Sequence, residues 1–314
     1  MNTKSLVREE LIPFLDFYPN LDLTNNLDSL KKSFNEQYAS AEKIDVPGVS
    51  FLAKKIENPV DGFEIRILIY QSLKEGDNKP AILHTHGGGY VLGTPDMNDA
   101  RNKILAKELD AVVVSVDYRL APDAQYPLPQ EDSYTALKWL WKNAGMLKVD
   151  PNRIGILGES AGGGMSAAVA LMARDRKEIP LKHQFLIYPM LDDRATLEKD
   201  EYPYSGEFVW TRKNNYNGWK HMLGMEPGSE EVPYHAAAGR VEDVAGLAPA
   251  WIGVGDLDLF LSEDMAFAKK LMQGGIPTEL HVFPGCYHGF DTLPDTSIGK
   301  RLEEILLNAM KEAL

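Results

Sequence analysis

The chain has 314 residues, enough for a large core, and 33 Lys and Arg against 46 Asp and Glu leave it a formal charge of −13. No cluster of Lys and Arg forms a basic face, which excludes nucleic acid and anionic membranes as expected partners. Cys286 is the single cysteine, the first ten residues carry no apolar signal core and no apolar run is long enough to span a bilayer, so a cytoplasmic protein without an internal disulfide is expected.

Residues 1 to about 45 are patterned as short helices. Leu6, Leu11, Phe14 and Leu15, then Leu27, Leu30, Phe34 and Tyr38, fall on apolar faces interrupted by Pro13 and Pro19, and helices this short need a partner surface. Phe51 to Glu57 and Glu64 to Tyr70 alternate as strands around the turn residues Asn58-Pro59-Val60-Asp61-Gly62, which predicts an antiparallel hairpin. Six short apolar runs follow: Ala81 to Thr85, Ala111 to Val116, Arg153 to Leu157, Gln184 to Tyr188, Ala250 to Gly255 and Glu279 to Phe283. Most are separated by helical segments, the alternation that builds a parallel sheet covered on both faces.

The helices between the runs have readable ends. Pro129 opens one, with Glu131 and Asp132 suited to its dipole and Leu137, Leu140 and Trp141 as its buried stripe. Ser262 is the expected cap of another, which Gly274-Gly275 stops after Gln273. Residues 190–235, rich in charge, aromatics and proline, are too long for a simple connection. They read as an insertion that packs with the N-terminal helices. The expected organisation is therefore 1–48 as the N-terminal part of a cap and 49–314 as a catalytic domain, with 190–235 contributing to the cap.

Gly158-Glu159-Ser160-Ala161-Gly162 sits where the run Ile154 to Leu157 gives way to a small-residue helix, Ala161 to Ala173. That context reads as a nucleophile elbow, a strand-to-helix turn that pushes a serine hydroxyl out of the sheet, with glycines removing the Cβ atoms that would clash. Serine acyl chemistry also needs a base, an acid to orient it and N–H donors for an oxyanion. Of seven histidines, His281 lies inside the last strand, His183 just before another, His221 and His235 in or beside the insertion, and His84 and His86 ahead of the serine. Only His288, in the loop Pro284-Gly285-Cys286-Tyr287-His288-Gly289-Phe290, lies beyond the last strand. Asp256 and Asp258 both follow the strand Ala250 to Gly255, and spacing alone does not separate them. Asp192 and Asp193 are further candidates. Ala161 offers the N–H after the nucleophile, and His86-Gly87-Gly88-Gly89 offers a loop whose backbone can approach a carbonyl.

These pieces, with Asp117-Tyr118-Arg119-Leu120-Ala121-Pro122 and His288-Gly289-Phe290, make residues 50 to 314 resemble the bacterial hormone-sensitive lipase family of α/β-hydrolases. The resemblance implies an α/β-hydrolase fold with a mostly parallel eight-stranded sheet and a helical cap. It implies Ser160, Asp258 and His288 as the catalytic triad and Gly88, Gly89 and Ala161 as the oxyanion hole. Glu159 stands where many members carry aspartate, and Leu259 follows Asp258 where proline is common.

The expected activity is that of a serine carboxylesterase on small esters of short to medium acyl length, using no cofactor or metal. Its partner is a small-molecule ester, with self-association into a homo-oligomer left open. An amidase or peptidase would need a group to protonate a poorer leaving amine, and the sequence displays none. A non-catalytic ligand receptor on the same scaffold could dispense with the histidine, which is present here. Tyr90, Tyr188, Phe208, Trp210 and Trp219 could line a substrate pocket or simply pack. Cys286, two residues from the candidate base, would be open to thiol reagents only if it faced the site.

Overall fold

A computed structural model describes residues 3–16, 21–39, 44–197 and 202–314. Pro19 and residues 198–201 of the insertion lie outside the described residues. All eight expected strands form, most of them longer by one or more residues than their apolar runs: β1 (Val49–Glu57), β2 (Glu64–Ser72), β3 (Lys79–Thr85), β4 (Val112–Asp117), β5 (Val149–Glu159), β6 (His183–Ile187), β7 (Ala250–Gly255) and β8 (Thr278–Phe283). The extra residues are mostly polar ones that continue the ladder without continuing the hydrophobic pattern.

The strands join in one sheet of order β1-β2-β4-β3-β5-β6-β7-β8. β1 pairs antiparallel with β2, as the hairpin signal predicts, β2 pairs antiparallel with β4, and every other pair is parallel. This is the mostly parallel eight-stranded sheet that the resemblance implies. Because parallel strands run the same way, the loops after β3, β5, β7 and β8 emerge along one rim.

Alternate residues of each strand feed different cores. Ile65, Ile67 and Ile69 of β2, Leu83 of β3 and Ile154 and Ile156 of β5 pack on one face, with Leu137 and Leu140 of helix α3 (Leu128–Lys142) and Met165 and Val169 of α4 (Ala161–Arg176). Leu68 and Tyr70 of β2, Ile82 of β3 and Phe185 of β6 pack on the other, with Leu105 of α2 (Asp99–Glu108) and Leu302 and Leu306 of α7 (Ser297–Ala313). Helix α6 (Leu261–Gln273) covers the β7 end through Phe267 and Leu271.

Two local expectations are corrected. Ser262 does not cap α6, because the helix already begins at Leu261 and leaves Ser262 inside its first turn; the N-cap is Phe260, with no side-chain bond. Asp132 does not share the first turn of α3, where Glu131 is the acidic residue. Asp132 is fully buried and takes both the Arg119 guanidinium and the Asn58 side-chain amide.

The N-terminal residues and the insertion meet. Helix α1 (Leu27–Ala39) follows Leu23, which is buried with Trp219 and Met222 of α5 (Arg212–Leu223). Lys213 lies 3.3 Å from Asp22, Asn217 donates to Thr24, and Thr3 donates to Glu207 at 2.7 Å. Among the described residues no helix is long and apolar enough to cross a membrane.

Candidate active site

Ser160 sits between the last residue of β5 and the first of α4 with φ 56° and ψ −125°, a conformation that costs a non-glycine residue on the order of 1–3 kcal/mol. Hydrogen bonds over-determine it: the Ser160 N–H donates to the Ile187 carbonyl, and its own carbonyl accepts from Gly164 and Met190. The flanking glycines are sterically required. A Cβ on Gly158 would fall 2.2 Å from the Gly162 carbonyl oxygen, and one on Gly162 would fall 2.0 Å from that of Thr85. A motif readable in five residues is thus enforced by strands β3 and β6 on either side.

The hydroxyl meets the expected base. His288 Nε2 lies 2.9 Å from Ser160 Oγ, and His288 Nδ1 lies 2.8 Å from Asp258 Oδ2. With Nδ1–H donating to the carboxylate, the Nε2 lone pair faces the serine O–H. Asp258 is fully buried, while Ser160 and His288 keep 7% and 6% exposure, so only the reacting end of the chain touches the surface. The imidazole is walled edge-on by Tyr188 at 4.6 Å and by Phe260 at 5.1 Å between ring centroids.

Asp256 is not the orienting acid. Its carboxylate accepts the Gly285 N–H at 2.7 Å, and the backbone N–H of Leu257 donates to Cys286, so it fixes the base of the histidine loop. Asp192 bonds Arg194 and Asp193 bonds Arg240, both away from the imidazole. The other histidines have separate partners as well. His84 is buried between Ser115 and Glu159, and burial pulls His86 down to about 4 and keeps it neutral against the Tyr118 ring.

The glycine loop passes beside Ser160. A Cβ on Gly87 would lie 3.4 Å from Ser160 Cβ, and Gly88 and Gly89 adopt φ of 123° and 62°. Among the described residues the N–H groups of Gly88 and Gly89 donate to no backbone carbonyl, and Ala161 is the first residue of α4, ahead of the helix's own ladder. The loop is braced from below by the stretch 117–122: Tyr118 donates its hydroxyl to the His86 carbonyl at 2.7 Å, and Ala121 N–H donates to Tyr90. Tyr90 and Trp219 prove to be buried packing 5.2 Å apart, and Phe208 rests on Tyr287. Trp210 is different. Its ring lies where a Gly89 Cβ would be, 6.5 Å from the imidazole, and its indole N–H donates to Asn215. Cys286 is buried in the core, and burial pushes its thiol up to about 12.

Sequence reading missed the groups that touch the site from elsewhere in the chain. Glu159, next to Ser160, accepts from Arg101 at 2.7 Å, and Tyr188 donates its hydroxyl to Asp291, three residues past His288. These contacts span 58 and 103 residues, and no local pattern announces them.

Residues 82–292 match a family described as alpha/beta hydrolase fold. The chain is 34% identical over 245 residues to the carboxylesterase NlhH of Mycobacterium tuberculosis, covering 75% of each protein. It is 30% identical over 293 residues to an arylesterase of Saccharolobus solfataricus, covering 91% of this chain and 93% of that one. Among solved structures, a bacterial heroin esterase superposes with a TM-score of 0.92 at 32% identity, covering 100% of this chain and 99% of the other.

Proposed function

Because the chain belongs to the hormone-sensitive lipase family of α/β-hydrolases, we propose that it is a serine carboxylesterase acting through an acyl-enzyme on small esters. The observation that carries this reading is the unbroken chain of hydrogen bonds from Ser160 through His288 to Asp258, set beside the N–H groups of Gly88, Gly89 and Ala161. In it, Ser160 Oγ attacks the ester carbonyl carbon as its proton passes to His288 Nε2. The carbonyl oxygen becomes an oxyanion and receives the N–H groups of Gly88, Gly89 and Ala161. Collapse breaks the bond to the alcohol, which leaves with the proton held by the imidazolium. Water, deprotonated by the same nitrogen, then attacks the acyl-enzyme and releases the acid. Asp258 keeps Nδ1 protonated and stabilises the imidazolium, and the aromatic walls keep bulk water from the ring.

The finer substrate reading rests on Trp210. The ring presses against Gly89 and is pinned through its N–H to Asn215, and in this reading it walls one side of the acyl group's path beside the oxyanion donors. Such a wall favours short to medium acyl chains. The N-terminal residues and the 190–235 insertion act in this reading as the cap that carries the wall. The test is steady-state hydrolysis of p-nitrophenyl esters of increasing acyl length by wild type and Ser160→Ala. Turnover should be greatest for short to medium chains and absent in the variant. Wild-type rates in S160A would overturn the mechanism, and a maximum at long chains would overturn the acyl assignment.

A further inference from the structure

Between the elbow and the helices α2 and α7 lies a buried cluster of charge that the proposed reaction does not use. Arg101 of α2, whose side chain is 15% exposed, has Nη1 2.7 Å from Glu159 Oε1 and 3.6 Å from Asp291 Oδ2, with Nη2 2.8 Å from Glu303 Oε1 of α7. Glu159 also accepts from His84 of β3 at 3.0 Å. One guanidinium therefore lies within ion-pair reach of three carboxylates, and among the described residues its hydrogen bond goes to Glu159. Burial opposes its charge, but Glu303, Glu159 and Asp291 outweigh that and raise its pKa. Asp291 and Glu303 are themselves shifted upward, first by burial, while His84 and Arg101 overcome the burial of Glu159 and lower it. Glu159 and Arg101 thus form the firmly ionised pair.

The two ends of this pair reach different halves of the site. Glu159 is bonded through the chain to Ser160. Asp291 lies in the short 3-10 turn Phe290–Thr292 just after His288, and its carboxylate accepts the hydroxyl of Tyr188, whose ring packs edge-on against the imidazole. Ser160 and His288 are 128 residues apart in sequence, so the 2.9 Å between their reacting atoms depends on how firmly the end of β5 is tied to the histidine loop. We propose, on the reading of Ser160 as nucleophile and His288 as base, that Arg101 is a positioning residue whose Nη1, set between Glu159 and Asp291, ties the nucleophile's strand to the loop of the base. Arginine suits the task because its guanidinium is rigid and planar, with Nη2 held at Glu303 of α7 while Nη1 faces the other two acids, whereas a lysine ammonium offers one flexible point charge.

The test compares wild type, Arg101→Lys and the double variant Arg101→Met/Glu159→Gln. The double variant removes the acid that loss of the cation would strand, which protects the fold. Hydrolysis of p-nitrophenyl acetate is measured with kcat expressed per site titrated to completion by a fluorophosphonate. A tie that sets reacting geometry predicts kcat per titrated site lower by about 10- to 100-fold in both variants, with KM within about twofold of wild type. Wild-type kcat per titrated site in both variants, or an effect confined to KM or to the titratable fraction, would overturn the assignment and leave Arg101 a structural residue. Turnover by Ser160→Ala at the wild-type rate would instead overturn the underlying reading of the nucleophile, so the two failures are distinct.

Discussion

Asp256 and Asp258 leave the same strand two residues apart, yet their carboxylates face different partners. Asp258 meets the imidazole at 2.8 Å and the Phe260 N–H at 3.0 Å, whereas Asp256 holds Gly285. Sequence spacing leaves the pair open because residues i and i+2 of a loop need not share a face. The family resemblance favours Asp258, and the hydrogen bonds agree with it. Replacing Asp258 by Asn should retain the packing but offer an amide N–H to Nδ1, forcing the wrong tautomer, and lower kcat by about 10³- to 10⁴-fold. Asp256→Asn loses a loop anchor instead and should cost far less. Parallel kcat measurements on the two variants check this, and equal losses would contradict the distinction. Ser160 itself was legible because its motif is local: its glycines, its strand and its helix are contiguous in the chain.

At the scale of the element, helix α6 shows what sequence patterning does not reveal. Glu263 and Asp264 lie in its first turn, where acidic residues ordinarily complement the helix dipole in solvent. Here both are buried. Glu263 accepts the Leu191 N–H at 2.7 Å, and among the described residues neither oxygen of Asp264 finds a hydrogen-bond partner. Burial first, then Glu263 and Asp258 nearby, raise the Asp264 pKa well above its ordinary value of 3.8. The folded chain therefore keeps a proton that the unfolded chain releases above that value. Stability from this group is complete below pH 3.8 and falls as pH rises toward the folded-state pKa, by about 1.4 kcal/mol for each pH unit in that window. Asp264→Asn carries no such charge. Its thermal midpoint relative to wild type should rise between pH 5 and pH 8, as read by circular dichroism, and parallel curves would contradict the buried acid. The helix existed in the sequence pattern, with its stop at Gly274, but its capping did not: the helix begins at Leu261, one residue before Ser262, and no side chain caps it.

Over the whole molecule, the site is assembled by topology. β5, β7 and β8 run parallel in one sheet, so the turns after them deliver a hydroxyl, a carboxylate and an imidazole to one rim, and the loop after β3 adds its N–H groups there. The apolar runs that define these strands were legible because a doubly covered parallel sheet needs continuous hydrophobic segments. Strand order, the contact of residues 3–16 with the histidine loop through Arg8 and Leu11, and the Arg101 tie were not, because each joins positions whose separation no periodicity encodes. In the proposed reaction the Ser160 hydroxyl is the nucleophile. Peptide mapping by mass spectrometry after reaction with a fluorophosphonate, in which an oxygen–phosphorus bond forms as fluoride leaves, tests that role. One adduct per chain is expected, on Ser160, with loss of ester turnover in proportion to labelling. An intact Ser160 in fully inhibited protein, or full turnover in fully labelled protein, would contradict it.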